Sequence, residues 1–552
     1  MKLLKVLGGI VVALVVIAGA LWMFREQIML NIGHLRAPRI EANHPVTWAQ
    51  GPDQPAQPAN QRPPNIVFIL ADDLGFNDIT FNGGGVAGGV VPTPNIDSIG
   101  HQGVSFQNGY AGNATCAPSR AAIMTGRYPT RFGFEFTPTP VAFEAIVGTA
   151  GDAEDFVHPR FFADRLHNMI PMERMGVPAS ETTIAEMMRG RGYHTLHFGK
   201  WHLGAENGMR PEQQGFDESL GFTPGASLYA PVGDHSVEES HQAFDPIDRF
   251  LWANLPYAVQ YNGSAWFHPN AYMTDYLTTE AINSIHANRN RPFFMYFAPN
   301  AVHTPLQATR EDYDALPQIQ NHELRVYAAM VRNLDRNVGR LLQALRDEGL
   351  DQNTLVIFTS DNGGAHYIGL PEINRPYRGW KATFFEGGIH TPFFMRWPAR
   401  IHAGTTYAAP VSHFDIFATA AAAAGAPVTP AQHVDGVDVM PFVTGANHGV
   451  PHDTLFWRSG QYRVVLNDGW KLQDCGACDR VWLYDMTHDP TEQHDLSAAD
   501  PDRVRMLTAM LDQHDREQAP PQWPSLLEGP IFIDHPLGVP QRRGETYIWW
   551  DN

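Results

Sequence analysis

"NIVFIL", residues 65–70, opens on Asn65 and is then apolar without a break up to Ala71-Asp72-Asp73. A strand with one face in water alternates apolar and polar residues. A run that is apolar at every position fits a strand buried on both faces of a helix-covered sheet. Three further, mostly apolar runs share the form. Residues 194–198, "HTLHF", lead into Gly199-Lys200-Trp201-His202; residues 293–297, "FFMYF", lead toward His303; residues 354–359, "TLVIFT", lead into Ser360-Asp361-Asn362-Gly363. Helical patterns lie between them, at residues 181–191 and 324–347. In the second, Met330, Leu334, Val338, Leu341 and Leu345 fall on one stripe and Gly349 marks a stop. Alternating strands and helices predict an α/β fold with a large, mostly parallel sheet flanked by helices. Ligands of such sheets bind beyond the carboxyl ends of the strands. All four polar clusters fall there, so four separate segments aim at one rim.

Toward the C-terminus the texture changes. Short strand-like runs at 455–458, 462–466, 470–473 and 481–484 are joined by tight turns. A helical pattern follows, with Val504, Leu507, Leu511 and His514 on one side. This predicts a small antiparallel sheet with a helix packed on it. The expected division is a catalytic unit at 65–445 and a C-terminal α+β unit at 446–552. Two segments precede them. Residues 40–64, rich in Pro, Gln, Ala and Asn, read as an extended tether. Residues 1–39 contain an uncharged apolar run at 6–23, preceded by Lys2 and Lys5. The expectation is a membrane anchor with the body on the periplasmic or extracellular side, Arg25, Arg36 and Arg39 weighing against that orientation. The competing reading is a cleaved signal peptide, with Ala18-Gly19-Ala20 at the cleavage site. The formal net charge of −19 argues against nucleic acid as a partner, because phosphate backbones are held by clustered Lys and Arg.

Asp72, Asp73, Asp361 and Asn362 offer oxygen ligands, which suit Ca²⁺ or Mg²⁺ better than zinc. One Asp-Asp pair after a strand is ordinarily a solvated turn; a second acidic pair at the same rim tips the reading toward metal. The chain has three cysteines, and Cys116 stands apart from Cys475 and Cys478. It opens a short helical stretch closed by Gly126, with Arg120 one turn on. A lone cysteine is usually a small buried hydrophobe, but a helix start favours anions and Arg120 argues against the apolar reading. Lys200, His202, His303 and Lys381 lie on loops. With Arg120, around a cation, they predict an electropositive pocket for a tetrahedral anion.

"CAPSR" followed by "AAIMTGRYP" resembles the signature Cys-x-Pro-Ser-Arg of the type I, formylglycine-dependent sulfatases. "PNIVFILADDLG", "GKWHLG", "APNAVHTPLQA", "FTSDNGG" and "RGWKATFFEGGIHTPFFMRWP" resemble the other blocks of that arylsulfatase-like family, in its order, and "WLYDMTHDPTEQHDL" is a looser match in the tail. The resemblance implies an alkaline-phosphatase-like fold and hydrolysis of sulfate esters. It implies that a formylglycine-generating enzyme converts Cys116 to formylglycine, whose hydrate attacks sulfur. Ca²⁺, in preference to Mg²⁺, would be held by Asp72, Asp73, Asp361, Asn362 and residue 116. Arg120 and Lys200 would hold the nucleophile and the sulfate charge; His303 and Lys381 would bind sulfate and serve the leaving oxygen; His202 would take the proton that lets sulfate depart. Cys475 and Cys478 are left as a pair, either a small disulfide or, with no βαβ context in support, a redox site. The implied substrate is a sulfated small molecule or sulfated sugar. Residues 134–177 and 227–270, long and aromatic-rich, read as loops closing over an aryl group or a sulfated sugar. The alternatives are a phosphonate or phosphate ester hydrolase on the same scaffold, and a non-catalytic sulfate-binding homologue.

Overall fold

The computed structural model describes residues 2–31, 38–151, 154–426, 428–429 and 432–552. The four apolar runs become β1 (Asn65–Ala71), β3 (His194–Lys200), β6 (Phe293–Ala298) and β7 (Thr354–Ser360) of one nine-stranded sheet. The other strands are β2 (Val104–Phe106), β4 (Glu218–Phe222), β5 (Gln260–Tyr261), β8 (Phe393–Arg396) and β9 (Thr405–Tyr407), in the spatial order β9-β2-β8-β7-β1-β6-β3-β4-β5. The pairs β7–β1, β1–β6, β6–β3 and β3–β4 are parallel, so the four polar clusters stand side by side at one edge. Antiparallel β8 and β5 make the sheet mixed. Every residue of β1, β6 and β7 is buried, as their unbroken apolar runs require. Separate clusters of buried hydrophobic residues cover the two faces.

The helices differ in how far they are built into the frame. The first, α1 (Lys2–Met23), leads into a short helix at Arg25–Asn31. Here the expectation of a membrane anchor is overturned: among the described residues, no helix is long and apolar enough to cross a membrane. The uncharged run at 6–23 is at the lower limit for a bilayer core, roughly 18 residues at about 1.5 Å each. The short helix after it is drawn onto the body, where Glu26 pairs with Arg249 at 2.7 Å and the Asn254 side-chain amide donates to the Leu30 carbonyl at 3.0 Å. Membrane partnership and the membrane-anchored placement of the body on the periplasmic or extracellular side fall with the anchor. Arg36, which entered the orientation argument, lies outside the described residues. Residues 40–64 are extended but lie against the body: Ile40 and Glu41 pair with Trp266 and Phe267, and the buried Trp48 donates to Glu280 at 2.8 Å.

The helix α2 (Cys116–Thr125) is buried along its whole length and ends at Gly126, whose left-handed conformation closes the last turn. The helix α3 (His322–Asp347) starts at an Asn321 cap and buries the predicted stripe. At the C-terminus, β10 (Thr454–Ser459), β11 (Tyr462–Asn467), β12 (Trp470–Cys475) and β13 (Arg480–Asp485) form the expected antiparallel meander. The helix α4 (Pro501–Asp515) packs Leu507 and Leu511 onto Val465, Leu472 and Leu483. Cys475 and Cys478 are disulfide-bonded. A three-stranded sheet not anticipated from sequence joins Arg160–Phe161 to Leu527–Phe532 and Tyr547–Asp551.

Candidate active site

The carboxyl end of β1 delivers Asp72 and Asp73, and that of β7 delivers Asp361 and Asn362; all four are fully buried. The two ends are locked together: the Asp73 amide donates to Asp361 at 3.2 Å and the Leu74 amide donates to the Ser360 hydroxyl at 2.9 Å. Asp73 turns with φ of 57°, the left-handed conformation in which an Asp is tolerated better than most residues. Cys116 is the first residue of α2, and its Sγ lies 3.8 Å from Asp73 Oδ1. One turn on, Arg120 binds Asp361 through Nε (2.9 Å) and Nη2 (2.8 Å), and its Nη1 donates to the Lys200 carbonyl and the Tyr296 hydroxyl, each at 3.2 Å.

Lys200 is the last residue of β3, not a loop residue as expected, so the strand itself aims it. Its ammonium bridges both oxygens of Asp72 at 2.9 and 2.8 Å. Lys381 reaches Asp73 at 2.8 Å and the Tyr367 hydroxyl at 3.0 Å; that hydroxyl donates to Asp73 at 3.1 Å. His303 Nε2 stands 3.6 Å from Asp73, with Nδ1 at the Thr304 carbonyl. His202 lies at the edge of this group, its Nε2 3.2 Å from the Pro138 carbonyl and its Nδ1 buried without a partner. All ten residues singled out in the sequence thus share one buried region. Tyr296 and Tyr367 were missed: Tyr296 is hidden in an apolar run, and Tyr367 follows "SDNGG" with no signal of its own.

The electrostatics follow from burial and neighbours. Burial works against the charged form of Asp73, yet Lys381, His303 and Lys200 hold it well below the ordinary carboxylate range. Burial and Asp72 push Asp361 up to about 6, with Arg120 opposing. The Cys116 thiol comes down to about 7: burial would raise it, but Lys200 and Lys381 prevail. The two histidines move apart. Burial, then Lys200, drives His202 well below its usual value, whereas His303 is raised because Asp73 and Asp72 outweigh burial and Lys381.

Ligand atoms of Asp72, Asp73, Cys116 and His303 lie within 4.8 Å of one another. Asn362 donates its amide to Asp73 at 2.7 Å and leaves Oδ1 buried without a partner. Such an oxygen costs free energy unless something positive meets it. A hard cation among these oxygens fits that need. Asp72, Asp73 and Asp361 are matched by Arg120, Lys200 and Lys381, so a divalent cation adds net positive charge that an anion can answer.

The sequence profile described as Sulfatase matches residues 64–426. The chain is 33% identical to N-acetylgalactosamine-6-sulfatase of Mus musculus over 69% of its own length and 66% of that protein's. It is 30% identical to arylsulfatase A of Homo sapiens, over 82% of this chain and 89% of that one. The solved structure of Ps i-CgsB in complex with k-i-k-neocarrahexaose superposes with a TM-score of 0.68 at 32% identity, covering 84% of this chain and 95% of that one. The buried cluster around residue 116 has the geometry of a Ca²⁺-dependent formylglycine site, and by sequence and fold alike the chain belongs to the sulfatase family.

Proposed function

We propose that this chain hydrolyses the sulfate ester of a carbohydrate, with residue 116 at the reacting centre. The observation that carries the reading is the position of Cys116, first residue of a buried helix, 3.8 Å from a carboxylate and within the field of Lys200 and Lys381. Likeness to an N-acetylgalactosamine sulfatase and to a protein solved with an oligosaccharide favours a sugar over a simple aryl sulfate.

Formylglycine, formed from Cys116, supplies a hydrated aldehyde as nucleophile. Ca²⁺ among Asp72, Asp73, Asp361 and Asn362 supplies positive charge for the sulfate oxygens. The chain's own residues do the rest. Arg120, fixed at Nε and Nη2 by Asp361, orients residue 116 one turn away on the same helix. Lys200 and Lys381 hold the sulfate oxygens, exchanging part of their contact with Asp72 and Asp73 for the substrate. His303, whose protonated form Asp73 and Asp72 favour, donates its Nε2 proton to the leaving oxygen. His202, neutral because burial and Lys200 disfavour its charge, accepts a proton from residue 116 as sulfate leaves. Two histidines pushed in opposite directions are what an acid and a base at one pH require.

The test has two parts. The mass of the peptide containing Cys116 reports formylglycine, and side-by-side turnover of nitrophenyl sulfate, phosphate and phosphonate reports the reaction class. The expected result is formylglycine with sulfate preferred, activity lost to a Ca²⁺ chelator and regained with Ca²⁺. Unmodified cysteine in active protein, or preference for the phosphonate, overturns the reading.

A further inference from the structure

Beyond Tyr367 the chain turns away from the cluster around Cys116 and borders a cavity of about 660 Å³. Gly369, two residues on and so at most about 7 Å from Tyr367, is part of its wall. The cavity is lined by four side-chain amides, those of Asn77, Gln318, Gln320 and Asn321, and by carboxyl groups that include Asp78 and Glu323; no Lys, Arg or His lines it among the described residues. We propose that this cavity binds an uncharged sugar unit joined to the sulfated one, with Phe244 and Glu323 as its specificity-determining residues; this rests on the sulfatase reading above.

Phe244 is 44% exposed, unusual for so large an apolar side chain, yet its ring is gripped. A Cβ on Gly369 would lie 3.0 Å from the ring, and one on Gly538 would lie 3.2 Å from it; both glycines are left-handed, with φ of 88° and 90°. The Leu537 amide donates to the His366 carbonyl at 3.0 Å, so the segment carrying Gly538 is tied to the one carrying Tyr367. The cavity wall mixes those amides and carboxyls with apolar side chains such as Ile319 and Leu370, and a held, exposed ring beside it is a stacking surface for the apolar face of a sugar.

Gly369 is a narrow waist. The Cβ that would touch Phe244 would also lie 3.1 Å from Glu323 Oε1. That oxygen is buried without a hydrogen-bond partner, just behind the cavity wall, whereas Asp78 is already engaged, accepting from the Tyr327 hydroxyl at 2.6 Å and the Gly75 amide at 2.7 Å. An unmet carboxylate oxygen among amides suits hydroxyl donors. With no Lys, Arg or His in the lining, among the described residues, to answer the charge of a second sulfate, the neighbouring unit is a neutral one. Burial, then Asp248, raises Glu323 to about 7, and a hydroxyl donor would offset that cost.

The experiment uses the full chain, neocarrahexaose stripped of its sulfates as ligand, and nitrophenyl sulfate as substrate. Titration calorimetry should show saturable binding of the desulfated hexaose. Phe244→Ala and Glu323→Gln should each weaken it by on the order of tenfold, the loss of one good contact. Both variants should keep kcat/KM for nitrophenyl sulfate within about twofold of the parent, since neither residue touches the cluster around Cys116. Absence of saturable binding, equal binding by the variants, or a parallel fall with nitrophenyl sulfate overturns the proposal. Failure of the unaltered chain to cleave nitrophenyl sulfate or sulfated hexaose sinks the sulfatase reading instead, and calorimetry separates the two failures.

Discussion

Two buried ionic clusters in this chain have similar ingredients and opposite finish. Around Cys116, three carboxylates, an arginine and two lysines are packed out of water, yet Asn362 Oδ1 and His202 Nδ1 are left without partners. Between the large sheet and the C-terminal meander, Lys471 on β12 binds Glu386 at 2.6 Å and Glu492 at 2.9 Å. Glu386 also accepts from His390 at 2.8 Å, and Glu492 accepts from the Gln473 amide at 2.7 Å and the Glu386 backbone amide at 2.7 Å. No side-chain atom of this second cluster is among the buried unpartnered ones. A saturated cluster has nothing to offer a ligand and acts as a tie; an unsaturated one is held ready for chemistry. Charge density alone therefore does not distinguish a site from a strut.

The sharpest way to break this comparison is Cys116→Ala. Removing the residue that becomes the nucleophile should lower turnover of nitrophenyl sulfate by on the order of 10⁴-fold or more. The melting temperature should stay within a few degrees, because a small side chain at a polar helix start is replaced by a smaller one. Turnover above trace in purified Cys116→Ala would remove the cluster's claim to chemistry. His202→Ala comes next, with a loss of about 10²–10⁴-fold. Since attack depends on residue 116 and its surroundings, the loss should fall on release: stopped-flow absorbance should show a burst of about one nitrophenol per active site, then slow turnover. A first turnover slowed as much as later ones would move His202 into binding or attack.

Lys471→Met tests the other side. It strands two carboxylates in the interior and should lower unfolding free energy by roughly 3–5 kcal/mol, read from denaturant titration. The kcat of the folded fraction should change little. Adding Glu386→Gln removes one stranded charge and should return part of the loss. A large drop in kcat with intact stability would show the tie to be part of the site.

The site was more legible in the sequence than its supports. β1, β3, β6 and β7 are mostly apolar runs ending in or leading toward chemistry-bearing residues, and parallel pairing puts those ends together, so local pattern and global position agree. Asp72, Asp73, Cys116, Arg120, Asp361 and Asn362 sit in compact motifs that survive without context. The Lys471 cluster joins residues far apart in the chain; Glu386 and Glu492 fall inside two of the matching blocks, but nothing in either block pairs them with Lys471, and that meaning exists only in the packed structure. The sheet that joins Arg160–Phe161 to Leu527–Phe532 is likewise invisible locally, since a two-residue strand carries no period. Residues 6–23 erred the other way: composition suggested a span, but apolar length at the threshold decides little when the following helix is held by Glu26 and Leu30.

A third kind of buried acid gives the mildest test. Asp78 has no cation beside it: burial pushes it up to about 8, against the pull of the Tyr327 hydroxyl and the Gly75 amide. It is therefore neutral in the folded chain near pH 7, whereas in the unfolded chain it ionises near pH 4. A carboxyl with a raised folded pKa contributes its stability fully below the unfolded value and loses it as pH climbs to the folded one. Stability should accordingly decline between about pH 4 and 8 through this residue. Asp78→Asn keeps an acceptor oxygen for Tyr327 and Gly75 and cannot ionise, so its unfolding free energy should fall less steeply over the same window, with turnover near that of the parent. The paired acids behave oppositely: Asp73, held low by Lys381, His303 and Lys200, contributes stability above pH 4 and loses it only in acid. Identical slopes for Asp78→Asn and the parent across pH 5–8 would mean that Asp78 is ionised in the folded chain, and burial without a counter-charge would then not separate this acid from those of the two clusters.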